Sequence, residues 1–96
     1  MKPQDNSADI QGLTLTFVKV LLESTSKELK VPVKFIDIYN EACRLRVGAR
    51  NKEESNLELR QHVRDDLINN GFILVDPNDT DSIYLTQKTI DEYSDY

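Results

Sequence analysis

One cysteine, one histidine and no tryptophan occur in the 96 residues. The lone Cys43 excludes an intrachain disulfide and a four-cysteine zinc site. With His62 as the only histidine, the chain also falls short of the mixed Cys/His ligand set that zinc takes. No Cys–His–acid nucleophile set is visible, and Cys43, beside an apolar helical stripe, is expected in the core. Glycine is equally scarce. Gly12, Gly48 and Gly71 are scattered, so there is no Gly-rich loop to cradle a phosphate. Asp65 and Asp66 are adjacent on a predicted helix and would point about 100° apart, which is no acid/base pair. These absences point away from an enzyme and imply no cofactor. No apolar run approaches the roughly 20 residues that span a bilayer. MKPQDNSADIQG has no apolar h-region of the kind a signal peptide carries. An intracellular protein without a membrane partner is expected.

What is present is one small domain's worth of alternating helical and extended patterns, with 39% hydrophobic and 30% charged residues. Residues 1–12 are polar and expected to be disordered or frayed, leaving 13–96 as the domain. From Leu13 towards Lys30, Phe17, Val20, Leu21 and Leu29 mark the buried side of a first helix, with Thr14 or Thr16 as its cap. Leu15, Val18 and Leu22 suggest a second apolar face on that helix, a possible homodimer contact. Val31-Pro32-Val33 reads as a short extended segment able to pair with a later hairpin. Phe35, Ile38, Tyr39, Ala42 and Leu45 then fall at helical spacing, with Gly48 at or just beyond the helix end.

A third helix is expected from Ser55 or Asn56, with Leu59, Val63 and Leu67 inward and Asn69-Asn70-Gly71 as its stop. Phe72–Val75 reads as a strand, Asp76–Ser82 as a polar turn and Ile83–Thr86 as the return strand. A short last helix is expected over Thr89–Tyr96, capped by Thr89. The fold class is α+β: three helices, a C-terminal β-hairpin and a short final helix.

Charge is unevenly spread over a net of −5. Between residues 44 and 64 six cations, Arg44, Arg46, Arg50, Lys52, Arg60 and Arg64, meet three carboxylates. From residue 65 onward eight carboxylates meet only Lys88. Asp76, Asp79 and Asp81 invite a calcium reading of the hairpin turn, but the EF-hand template fails. Counting from Asp76, its Gly position is Asp81 and its Glu position is Gln87, so no metal site is expected.

The order of elements resembles the winged-helix superfamily of helix-turn-helix domains over roughly residues 13–93. The resemblance is carried by L-x-x-x-V-x-x-x-L-x-x-x-G-F-I from Leu59 to Ile73, and by the return strand I-Y-L-T. The ending Y-L-T-Q-K-T-I-D-E-Y is similar to the family's closing strand and trailing helix, where L-T-x-K-G is common; Thr89 stands here in place of that glycine. F-I-D-I-Y-N-E-A in the second helix resembles winged helices appended to replication ATPases, such as origin-recognition, minichromosome-maintenance and phage primase-helicase proteins.

The resemblance implies that the third helix reads double-stranded DNA. Asn56, Arg60, Gln61 and Arg64 would then be base-contact candidates, since Arg suits guanine and Asn or Gln suits adenine. Arg46, Arg50 and Lys52 would be phosphate-contact candidates. The alternative is a solvated helix face with Arg60 and Arg64 paired to neighbouring acids, and Arg44 capping the second helix. The acidic hairpin has the wrong sign for phosphate.

Two functions therefore stay open. One is a DNA-binding transcription regulator or replication accessory factor. The other is a protein-interaction module in such an assembly, offering Asp76, Asp79, Asp81 and Tyr84 to a basic protein partner.

Overall fold

The structure is a computed structural model and describes residues 7–47 and 57–93, with no account of the side chains of residues 7–10, 46 and 47. In chain order the elements are α1 (Ser7–Thr25), β1 (Val33–Lys34), α2 (Phe35–Val47), α3 (Leu57–Asn69), β2 (Ile73–Asp76), β3 (Asp79–Leu85) and α4 (Gln87–Tyr93). The described residues form an α+β fold of four helices and one three-stranded antiparallel sheet, ordered β1-β3-β2. No described helix is long and apolar enough to cross a membrane.

The helical stripes drive the packing. Leu13, Phe17, Val20 and Leu21 of α1 meet Phe35, Ile38, Tyr39 and Ala42 of α2 and Leu59, Val63 and Leu67 of α3 in one core. Phe35 lies tilted against Phe17 and stacked on Tyr39, with ring centroids 5.1 and 5.8 Å away, so the start of α2 is anchored to α1. Ile73, Ile83 and Leu85 close the core from the sheet. Cys43 is buried, as its place beside the stripe predicts.

The extended segment before α2 does pair with the hairpin: Val33 lies opposite Ile83 and Lys34 opposite Ser82. This makes β3 the central strand. In β2, Ile73, Leu74 and Val75 lie opposite Leu85, Tyr84 and Ile83, with an irregularity between Val75 and Asp76.

Several boundaries differ from the sequence reading. α1 starts at Ser7, inside the segment expected to be frayed. Gly12 costs a helix about 1 kcal/mol relative to Ala, but the apolar turns that follow dock and carry it. Thr14 and Thr16 lie inside α1 and cap nothing; the Thr16 hydroxyl donates to the carbonyl of Gly12 at 2.9 Å. α1 also stops five residues early. Lys27 N–H donates to the Leu22 carbonyl and Ser26 N–H to that of Glu23, while Ser26 and Lys27 take left-handed φ values of 54° and 63°. Leu29 is consequently exposed beyond the helix, and Leu45 is exposed on α2. Val18 and Leu22 are buried within the chain's own core, which leaves Leu15, 37% exposed, from the second apolar face proposed for α1.

The last helix begins at Gln87, not Thr89. Its cap is Thr86, whose hydroxyl accepts from the Thr89 N–H at 3.3 Å. Thr89 is fully buried and donates to the Phe72 carbonyl at 2.8 Å, while Thr86 donates to that of Gly71 at 2.7 Å. These hydroxyls fasten α4 to the turn between α3 and β2. Gly71 itself has a φ of 75°, and Phe72 N–H donates back to Leu67, the Gly-closed helix end that the sequence predicts.

Candidate functional site

The third helix distributes its side chains by simple rotation. Leu59, Val63 and Leu67 are one turn apart and buried. The opposite face presents Glu58, Gln61 and Asp65 to solvent. Arg60 and Arg64 fall between these faces, half-buried, on the flank that looks towards α2 and β3.

This placement divides the residues expected to face DNA together. Gln61 does lie on the outward face, where its amide donates to Asp65 Oδ1 at 2.9 Å. Arg64 turns to the flank. Its guanidinium lies 4.9 Å from the centroid of the Phe35 ring and donates to the Thr80 carbonyl. One side chain thus joins the third helix to the hairpin and to the start of α2. Arg60 makes no hydrogen bond or ion pair among the described residues. Neither arginine pairs with Glu58 or Asp65. Arg44 is bonded to Glu41, one turn back on α2. Asn56, Arg50 and Lys52 lie outside the described residues, as does the Arg46 side chain.

Between α3 and β3 is a cleft of about 330 Å³, lined by Phe35, Ile36, Arg60, Gln61, Arg64, Thr80 and Asp81. Its lining is mostly polar, with Phe35 and Ile36 as the apolar part. Two guanidinium groups and one carboxylate line it, giving a net charge of +1.

The hairpin tip is tighter than its composition predicts. The turn is Pro77-Asn78 alone, and β3 starts at Asp79 instead of Ile83. Asp76 Oδ1 accepts from the Asn78 amide at 2.8 Å, and Asp79 Oδ1 from the Asp81 amide at 3.1 Å. Asp79 Oδ2 also accepts from Ser82 Oγ at 3.0 Å and from Lys34 Nζ at 3.2 Å. Lys34, bonded to the carboxylate, holds the Asp79 carboxyl below the usual aspartate range, with the Asp81 amide and the Ser82 hydroxyl adding to the effect. The same contact raises the Lys34 ammonium above the usual lysine value. Of the three acids proposed as a binding surface, Asp76 and Asp79 therefore brace the turn, and Asp81 lines the cleft.

Tyr84 is half-buried on the central strand. Opposite it, Leu74 is 61% exposed on the edge strand β2. Sequence reasoning missed Leu74 because a continuous Phe-Ile-Leu-Val run reads as buried throughout. It also missed Lys34, Phe35 and Thr80, whose roles arise only when β1 pairs with β3. Their signal was the extended Val31–Val33 segment.

His62 is exposed on α3, and no described group of three or more His, Cys, Asp or Glu could hold a metal ion. A second hollow of about 580 Å³ lies where α1 meets the end of α3 and α4, bordered by Leu15, Val18, Phe72 and Tyr93. Comparison of the chain with family models, curated proteins and solved structures gave no match.

Proposed function

We propose that this chain is a winged-helix protein-interaction module, with α3 in the place of the recognition helix and the β2–β3 hairpin as its wing. The order of elements, the Gly71 stop and the strand pairing of β1 with the wing support that reading of the fold. The observation that carries the functional part is the direction of Arg64. Its guanidinium is drawn onto Phe35 and Thr80, and the face left outermost on α3 holds Glu58 and Asp65.

Magnitudes favour a protein partner over a duplex. Duplex binders commonly neutralise about 6–10 phosphates, and each contact steepens the salt dependence by roughly 0.9 log units per log unit of salt. On α3 two arginines stand against Glu58, Asp65 and Asp66, and of the two Arg60 makes no hydrogen bond or ion pair among the described residues. The wing adds Asp76, Asp79 and Asp81, with Lys34 as the cation bonded there. A basic protein surface meets this arrangement without repulsion. Leu74 and Tyr84 give it apolar contact on the outer sheet face.

The reading predicts no saturable binding of a random duplex at about 0.1 M salt. Replacing Glu58 and Asp65 together by Lys should create measurable duplex binding, because the acids are what exclude phosphate. The DNA reading keeps the support of Arg60, which makes no hydrogen bond or ion pair among the described residues, and of the phosphate-contact candidates Arg46, Arg50 and Lys52. Wild-type protein that binds duplex with a salt slope of several phosphates, and loses it in R60A, would establish DNA binding and end the protein-module reading.

A further inference from the structure

We infer that the α3–wing cleft is a carboxylate-binding subsite: it takes one Asp or Glu side chain from an otherwise basic partner segment, with Arg60 as the anchor. This rests on the protein-module reading and names the chemistry by which that surface would fix its partner's register.

Three observations lead there. First, the cleft is concave, of about 330 Å³, and its +1 balance is satisfied by one anion. Secondly, Arg60 borders it half-buried and without a hydrogen bond or ion pair among the described residues. A partly desolvated guanidinium with a planar fork of donors is matched by a carboxylate, which accepts two parallel hydrogen bonds. Thirdly, the wall is fixed before binding. Arg64 is already bound to the Thr80 carbonyl and lies over Phe35, and Phe35 is packed against Phe17 and Tyr39. The ordering that opposes the entering group is then mainly that of Arg60 itself.

The same walls disfavour a phosphodiester chain. Asp81 lines the cleft, and Glu58 and Asp65 stand on the neighbouring helix face. A single side chain can insert beside Asp81, whereas consecutive phosphates must run past all three acids. Asp81 instead suits an N–H donor or ammonium adjacent to the inserted carboxylate. A basic segment interrupted by one acidic residue carries both groups.

The test is a nuclear magnetic resonance titration of the full chain, observing the Arg60 Nε–H and the amides of Thr80 and Asp81. The probes are an acetylated, amidated Lys-Glu-Lys peptide, its Lys-Gln-Lys counterpart and inorganic phosphate. The Glu peptide should give saturable shifts at all three reporters, and the Gln peptide should bind about tenfold more weakly, the loss of a charge-assisted hydrogen bond. R60Q should remove that preference while leaving the amide spectrum elsewhere unchanged, and R60K should restore only part of it, because an ammonium lacks the fork. Equal binding of the two peptides, or a preference that persists in R60Q, overturns the carboxylate subsite. Tighter binding of phosphate than of the Glu peptide overturns it in favour of a nucleic-acid backbone. The duplex titration separates the two failures: loss of the subsite with no duplex binding leaves the protein-module reading standing, whereas duplex binding removes both.

Discussion

At the base of the hairpin, Thr89 is fully buried, Thr86 and Thr89 hydroxyls satisfy the carbonyls of Gly71 and Phe72, and Phe72 meets Tyr93 edge-on at 5.4 Å. At its tip, 77–78 turn the chain, and the polar contacts are exposed ones made by Asp76 and Asp79. Both ends hold backbone groups with short side chains. Water competes fully at the exposed tip and less at the part-buried base, so the same kind of hydrogen bond has unequal consequences. The base is where the fold is fixed. The tip is held by exposed carboxylate contacts that contribute less.

The largest effect should come from the base. Thr89→Val keeps the volume but takes from the part-buried Phe72 carbonyl its 2.8 Å donor, leaving only the 3.3 Å approach of the Thr86 hydroxyl, and should cost about 1–2 kcal/mol. For a domain of this size the melting midpoint falls by about 4–8 °C per kcal/mol. A midpoint unchanged from wild type would show that the base is held by packing alone. Gly71→Ala comes next, at about 1–2 kcal/mol, because φ of 75° is a left-handed conformation that a Cβ disfavours. The cost is conformational: the nearest atom to an added Cβ is Lys88 Cδ at 3.7 Å, an ordinary contact. Denaturant unfolding of the variant would measure it.

Gly71 also shows why the base was legible in the sequence and other parts were not. Asn69-Asn70-Gly71 announces a helix end with a residue type suited to it. α1 ends in the same hydrogen-bond pattern, Lys27 to Leu22 and Ser26 to Glu23, but places Ser26 where α3 places Gly71. No residue type marks that stop, so the helix reads on towards Pro32. Ser26→Gly should relieve the strained conformation, against some loss of chain entropy, for a net gain of about 0.5 kcal/mol in chemical denaturation.

The tip was misread for a different reason. Asp79-Thr80-Asp81-Ser82 has turn composition, yet it is strand, with Asp79 opposite Asp76 of β2 and Ser82 opposite Lys34 of β1. Local propensity gave way to long-range pairing. The inward stripe of α3 could be read from period alone, whereas period placed Leu29 and Leu45 inward, where they are exposed, and Val18 and Leu22 outward, where they are buried. The cleft could not, because Phe35, Arg60 and Thr80 are brought together only by the chain's return.

The smallest effect should be found at that tip. Lys34 and Asp79 are bonded but largely exposed, so K34A should leave the melting midpoint unchanged within error at neutral pH. Its signature is in titration. Asp79 has a depressed folded-state pKa, so the pair's contribution is present above the unfolded carboxylate value and is lost as pH falls through the folded one. Lys34 has a raised pKa, so its contribution is present below the unfolded ammonium value and is lost as pH rises through the folded one. In wild type the Asp79 carboxyl resonance should therefore titrate below an ordinary aspartate. In K34A its midpoint should move upward by only part of that displacement, because the Asp81 amide and Ser82 hydroxyl still bond the carboxylate. Full return to the ordinary value would mean that Lys34 alone orders the tip, and the contrast with the hydroxyl-built base would then be one of partner as well as of burial.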